Sequence, residues 1–229
     1  MGDKTNEISV AQEVLPHLPL RGRVVTADAL HTQAATVRAV LAGGADYLLV
    51  VKDNRPRLHA ELAAYFADPR ATARSAATVD RHHGRVETRT LHVTARLSAY
   101  LTQYFPFPGI AQVARLVRTV REKGHTGVET VYLITSLTPR RADPARLLVL
   151  IRGHWSVEVR HRIRDVTFGE DASRLRSGQA PQVMAALRNL ALTLIRRAGQ
   201  TAIAAYRRHL STHPSKALRL LHPKTHPRR

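Results

Sequence analysis

The chain has 229 residues, 44% of them hydrophobic, and a formal charge of +19 before any of its 13 histidines is counted. That length fits one large domain or a domain with an insertion, and so apolar a composition excludes a disordered basic tail. The absence of cysteine excludes a disulfide framework and thiolate metal sites. No apolar run approaches the roughly 18 residues of a membrane span, and Met1 to Glu7 does not read as a signal peptide. The expectation is a cytoplasmic, nucleoid-associated protein that meets a polyanion.

In chain order, Ile8, Val10, Val14, Leu15 and Leu18 space a short amphipathic helix that Pro16 and Pro19 end. Val24-Val25-Thr26-Ala27 predicts a short buried strand closing on Asp28. Ala35, Val37, Val40 and Leu41 have helical spacing, with Gly43-Gly44 as the exit. Asp46 to Lys52 is almost continuously apolar, as in a strand buried on both faces, and a helix follows over about Pro56 to Phe66. Strand, helix, strand, helix in that order implies a parallel α/β sheet. Residues 79–94 alternate, with Arg85, Glu87 and Arg89 on one side and Val86, Thr88 and Thr90 on the other, which predicts one half-exposed strand. Val113 to Glu122 and Val128 to Ser136 predict further strands joined at Lys123-Gly124-His125. After Pro144 the pattern is helical to about Ile163, then again near 179–197, 200–211 and 214–221. The chain thus divides into a partial α/β core (1–77), a β-rich insertion (78–137) whose last strand rejoins the sheet, a helical region (138–221) and a basic tail (222–229).

The charge is concentrated toward the C-terminus. Residues 1–150 carry 20 basic and 13 acidic side chains, net +7, whereas residues 151–229 carry 16 and 4, net +12. Such a density concentrates polyphosphates and makes their binding steeply salt-dependent. It supports a nucleic-acid partner without alone establishing one, since GC-rich coding also produces arginine.

Two carboxylates stand out by position. Asp28 closes a strand, at the end of the sheet where open α/β folds place ligands; a helix N-cap is the alternative. Glu158 sits in Arg152-Gly153-His154-Trp155-Ser156-Val157-Glu158, within an apolar helix, where a carboxylate is either paired, with Arg162 or His154 four residues away, or functional. Carboxylates converging from a strand end and a helix can hold Mg²⁺, which keeps waters for a substrate phosphate. His82-His83, His125 and His154 lack the spacing of a metal hydrolase, and Gly43-Gly44 lacks a following Lys-Ser/Thr, so no nucleotide cofactor is implied.

The stretch from Val25 to Gln33, VTADALHTQ, followed by Gly44 to Asn54, GADYLLVVKDN, resembles the second-aspartate block of bacterial insertion-sequence transposases, most of all the ISAs-type subgroup. Further blocks agree in order: His83 to Arg89, Arg152 to Glu158, Arg164 to Ser173, and Ala180 to Ala191. The resemblance implies a ribonuclease-H-like catalytic core of the DDE class, in which two Asp and one Glu hold Mg²⁺ (or Mn²⁺) for DNA cleavage and strand transfer. By position Asp28 matches the second aspartate and Glu158 the glutamate. Lys52, Arg85, Arg89, Arg162 and Arg164 become candidate phosphate contacts, double-stranded DNA at transposon ends the partner, and a homo-oligomer on DNA the assembly. The family's first aspartate lies upstream of where this sequence begins, which leaves an unpaired sheet edge. Val159 stands where the family usually has Asn, and Arg164 lies six positions after Glu158 rather than seven, rotating it about 100° around the helix. These departures imply an N-terminally truncated, inactive copy, or a non-catalytic DNA-binding remnant that occupies transposon ends or interferes with full-length transposase.

Overall fold

A computed structural model describes residues 7–82 and 84–221, leaving the side chains of residues 82 and 156–161 undescribed; the basic tail 222–229 lies outside it. The chain forms two compact units, Met1–His154 and Trp155–Arg229, divided within one helix.

The first unit is built on a six-stranded mixed sheet in the order β1-β2-β6-β5-β4-β3. Helix α1 (Glu7–Val14) leads into β1 (Val24–Ala27), and a 3-10 turn and α2 (Ala34–Ala42) connect β1 to β2 (Asp46–Val51). That right-sized crossover makes β1 and β2 parallel, with Thr26 beside Leu48. Helix α3 (Pro56–Ala67) follows, then β3 (Arg74–His82), β4 (Arg85–Thr94), α4 (Ser98–Tyr104), β5 (Gln112–Glu122), β6 (His125–Thr135) and α5 (Pro144–Arg162). Strands β3 to β6 form an antiparallel meander whose last member lies antiparallel to β2, Val50 beside Leu133.

Position in the sheet explains burial. All six residues of β2 are buried, because β2 has a strand on each side and apolar residues over each face. β1 is only half-buried, which corrects the expectation of a buried strand: β1 stands at the sheet edge and lacks a second neighbour among the described residues. One face of the sheet is covered by a core of Val37, Val40, Tyr47, Leu49, Leu58, Leu62, Phe66, Leu101 and Ile134. On the other face Leu48, Val50, Leu91, Leu116 and Leu133 are buried, as are Leu147, Leu148 and Ile151 of α5. Each such leucine contributes about 1.5–3 kcal/mol of transfer free energy.

Residues 79–94 are a hairpin rather than one strand. β3 begins at Arg74, and the chain reverses between His82 and Arg85, with Gly84 at φ 78°. Alternation persists through a two-residue turn, so it does not reveal the reversal. The β5–β6 hairpin closes on Lys123 (φ 48°) and Gly124 (φ 79°), the paired positive φ of a tight turn that matches strand twist. β6 accordingly begins at His125, three residues before the predicted start. Helix α4 has no counterpart in the sequence reading: it is seven residues long and buries only Leu101.

The second unit contains the C-terminal part of α5, a π-helical turn (Ile163–Thr167), α6 (Ala180–Arg197), α7 (Ile203–Ser211) and α8 (Pro214–Leu221). Leu192, Ile195 and Ile203 form its small core, with Ile163, Phe168, Tyr206 and Leu210 packed around them.

Candidate functional site

Asp28 occupies the C-terminal end of β1, beside the end of β2. The loop after β1 is fixed to β2 and to the loop that follows it. Thr32 Oγ1 donates to the Val50 carbonyl at 2.6 Å, Asn54 Nδ2 donates to the Ala29 carbonyl, and Arg55 Nε donates to the Thr32 carbonyl at 2.8 Å. Arg55 also donates to the Gln33 side chain and lies 5.7 Å over the Phe107 ring. The Ala29 carbonyl also accepts the Thr32 N–H at 3.1 Å, and together these bonds hold the Asp28 backbone against the sheet end. Sequence reading missed these supporting residues; the polar run Lys52-Asp53-Asn54-Arg55 directly after an apolar strand is the feature that marks them.

The Asp28 carboxylate is exposed and does not cap the following turn, so the N-cap alternative is not realised. It has no hydrogen-bond or ion-pair partner among the described residues. His31, three residues on, places Nε2 3.2 Å from Glu7 Oε1. Lys52 is exposed at the end of β2. Glu158 belongs to α5, but its side chain is outside the described residues. An exposed, unpaired carboxylate suits one ligand position of a divalent cation. Among the described residues, however, no group of three His, Cys, Asp or Glu side chains could hold a metal ion.

The arginines singled out in the insertion are committed to carboxylates. Arg89 lies 2.6 Å from Glu87 and 2.5 Å from Asp80, Arg85 is 3.1 Å from Glu87, and Arg118 bonds Glu87 and lies 3.1 Å from Glu129. Arg152 of α5 reaches Asp80 at 3.0 Å. Burial raises the pKa of Glu87, but its bond from Arg118 and the charges of Arg89, Arg118 and Arg85 outweigh that and hold it below the ordinary range. Asp80 is likewise lowered, desolvation being overcome by Arg89 and Arg152. In the second unit Arg164 donates two bonds to Glu170, at 2.6 and 2.5 Å, which raise its own pKa despite desolvation. Arg162 is exposed and has no ion-pair partner among the described residues.

A family model described as the transposase DDE domain matches residues 2–194. The chain belongs to that family, and its mixed α/β fold with a six-stranded mixed sheet is consistent with a ribonuclease-H-like transposase domain. YncI of Escherichia coli O157:H7, whose name marks it as a candidate transposase, is 30% identical over 198 residues, 84% of this chain and 50% of YncI. The H repeat-associated YhhI of Escherichia coli K12, also named as a candidate transposase, is 29% identical over 206 residues, 84% of this chain and 52% of YhhI. The YbfL protein of the same strain is 30% identical over 205 residues. The chain therefore spans about half the length of these curated relatives. No helix among the described residues is long and apolar enough to cross a membrane.

Proposed function

We propose that this chain is part of a DDE transposase of a bacterial insertion sequence, of the ISAs type, with double-stranded DNA at transposon ends as its substrate. The observation that carries the reading is Asp28: an exposed carboxylate, without a partner among the described residues, at the C-terminal end of a sheet strand in a chain of the transposase DDE family. Asp28 and Glu158 are the proposed metal ligands. Each carboxylate would serve as a ligand to a divalent ion, whose chemistry would be to activate an oxygen nucleophile and to neutralise charge on the scissile phosphate. The contribution of this chain is to position: the bonds of Thr32, Asn54 and Arg55 hold the Asp28 loop, and Lys52 and Arg162 offer exposed positive charge.

Two carboxylates are fewer than the DDE chemistry uses, and the relatives are about twice as long as the matched region. The 229 residues by themselves are therefore proposed not to cleave DNA. With Mg²⁺ or Mn²⁺, purified chain is expected to leave supercoiled plasmid intact. Nicking that disappears in both Asp28→Ala and Glu158→Ala would overturn the proposed inactivity. A second reading, a non-catalytic DNA-binding remnant, is supported by the net +12 of residues 151–229. It expects tighter binding to transposon-end duplex than to random duplex, and equal affinity would reduce it to general polyanion binding.

A further inference from the structure

Helices α7 and α8 lie beyond residue 194, where the match to the transposase DDE domain ends. Two histidines stand at the corner between them, His209 in the last turn of α7 and His213 immediately before Pro214 of α8. Thr212 caps α7, and Pro214 disfavours helical backbone at the residue before it, so the local sequence sets the corner. The two imidazole rings stack there, with centroids 4.2 Å apart and 30° between their planes.

The hydrogen bonds around the pair fix which ring nitrogen carries the proton. Lys216 Nζ lies 3.1 Å from His209 Nε2, and an ammonium only donates, so that nitrogen presents its lone pair. His213 Nδ1 lies 2.9 Å from the His209 carbonyl, which only accepts, so Nδ1 holds the proton and Nε2 presents the lone pair. Thr212 Oγ1 agrees with this, donating to the same carbonyl at 3.0 Å and accepting from Nδ1 at 2.9 Å. Donation from one ring nitrogen to a backbone carbonyl is how metal-ligating histidines are oriented. Desolvation, then the charges of Lys216 and His213, hold His209 below the ordinary imidazole range, in the neutral form that ligates.

We infer that His209 and His213 form a two-histidine site for a divalent cation of the Zn²⁺, Ni²⁺ and Cu²⁺ class, which displaces the Lys216 ammonium. Imidazole nitrogen suits these ions, whereas Mg²⁺ takes oxygen ligands. Two nitrogens on one tetrahedral ion, each at about 2.0–2.1 Å, sit about 3.4 Å apart, within reach of rings stacked this closely. Water fills the remaining positions, since no group of three His, Cys, Asp or Glu forms among the described residues. The C-terminal end of α7, the negative pole of its dipole, lies at the same corner and favours a cation. Binding joins α7 to the start of α8, in the unit whose small core is Leu192, Ile195 and Ile203, and stabilises that unit by mass action.

The test is titration of the untagged full chain with ZnCl₂, followed by isothermal calorimetry and by histidine-selective ¹⁵N NMR. Zn²⁺ is expected to bind in a step that shifts the Nε2 resonances of His209 and His213, and that the His209→Gln/His213→Gln double variant loses. Asp28→Ala should keep the step, as should the wild-type chain in excess Mg²⁺, which separates this site from the proposed Asp28 and Glu158 ligands. Lys216→Ala removes the competing ammonium and should tighten the step by about fivefold or more, the effect of one nearby unit charge in water. A disturbed fold cannot produce that gain. Zn²⁺ should also slow amide exchange in α7 and α8 of the wild-type chain and leave it unchanged in the double variant. Unmoved His209 and His213 resonances, or a step that survives in the double variant, would overturn the inference and leave the transposase reading intact. Unchanged or weaker Zn²⁺ binding by Lys216→Ala would overturn the displacement of the ammonium, and with it the site as drawn.

Discussion

At the scale of single residues, Glu87 organises the charged face of the hairpins. It is buried to 8% exposure and takes contacts from Arg85, Arg89 and Arg118. Glu87→Gln keeps the shape but leaves three guanidinium groups without their shared charge, so unfolding free energy is expected to fall by about 1–3 kcal/mol in urea titration. The pH dependence has a definite sign. Asp80 and Glu87 are held below their ordinary values. Their stabilisation is present above the unfolded carboxylate pKa values of about 3.9 and 4.3, and is lost as pH falls through the lower folded ones. The thermal midpoint should therefore drop as the solution is acidified below about pH 4, and less steeply in Glu87→Gln. The composition of this network was visible in the alternating Arg85, Glu87 and Arg89. Its partners Arg118, Glu129 and Arg152 were not, because cross-strand and helix-to-sheet neighbours are distant in sequence.

Among the elements, the β5–β6 turn makes a sharp prediction. Gly124 at φ 79° occupies backbone space that a side chain strains, so Gly124→Ala should cost about 1 kcal/mol. Lys123 at φ 48° is the only non-glycine described residue with positive φ, and Lys123→Asn should recover about 0.5 kcal/mol, since Asn tolerates that region better. Differential scanning calorimetry of the two variants checks both signs. Elements differ in how well the sequence announced them. β2 was legible because a strand buried on both faces leaves an unbroken apolar run. β1 had the same β-branched character, yet its burial depended on neighbours that its own residues do not specify. Helix α4 escaped notice because one buried leucine in seven residues sets no period.

Over the whole molecule, the two units have unequal cores. The first unit buries an extensive apolar set on both faces of a six-stranded sheet, and the second buries Leu192, Ile195 and Ile203. Native-state hydrogen exchange should therefore be slowest in β2, β5 and β6 and faster in α6 and α7. Ile195→Ala, expected to cost about 2–4 kcal/mol locally, should speed exchange in α6 and α7 while β2 stays protected. By itself the sequence determined the α/β class, the central buried strand, the excess of positive charge and the placement of Asp28 at a strand end, because each is written in local pattern or composition. Only the tertiary structure decided which arginines remain available. The turn between His82 and Arg85 sets the register of β3 on β4, and a shift of one residue would exchange the faces. That register gives Arg85 and Arg89 to carboxylates and leaves Arg81 and Arg121 exposed, a division that pairing between strands fixes and that no single stretch of chain encodes.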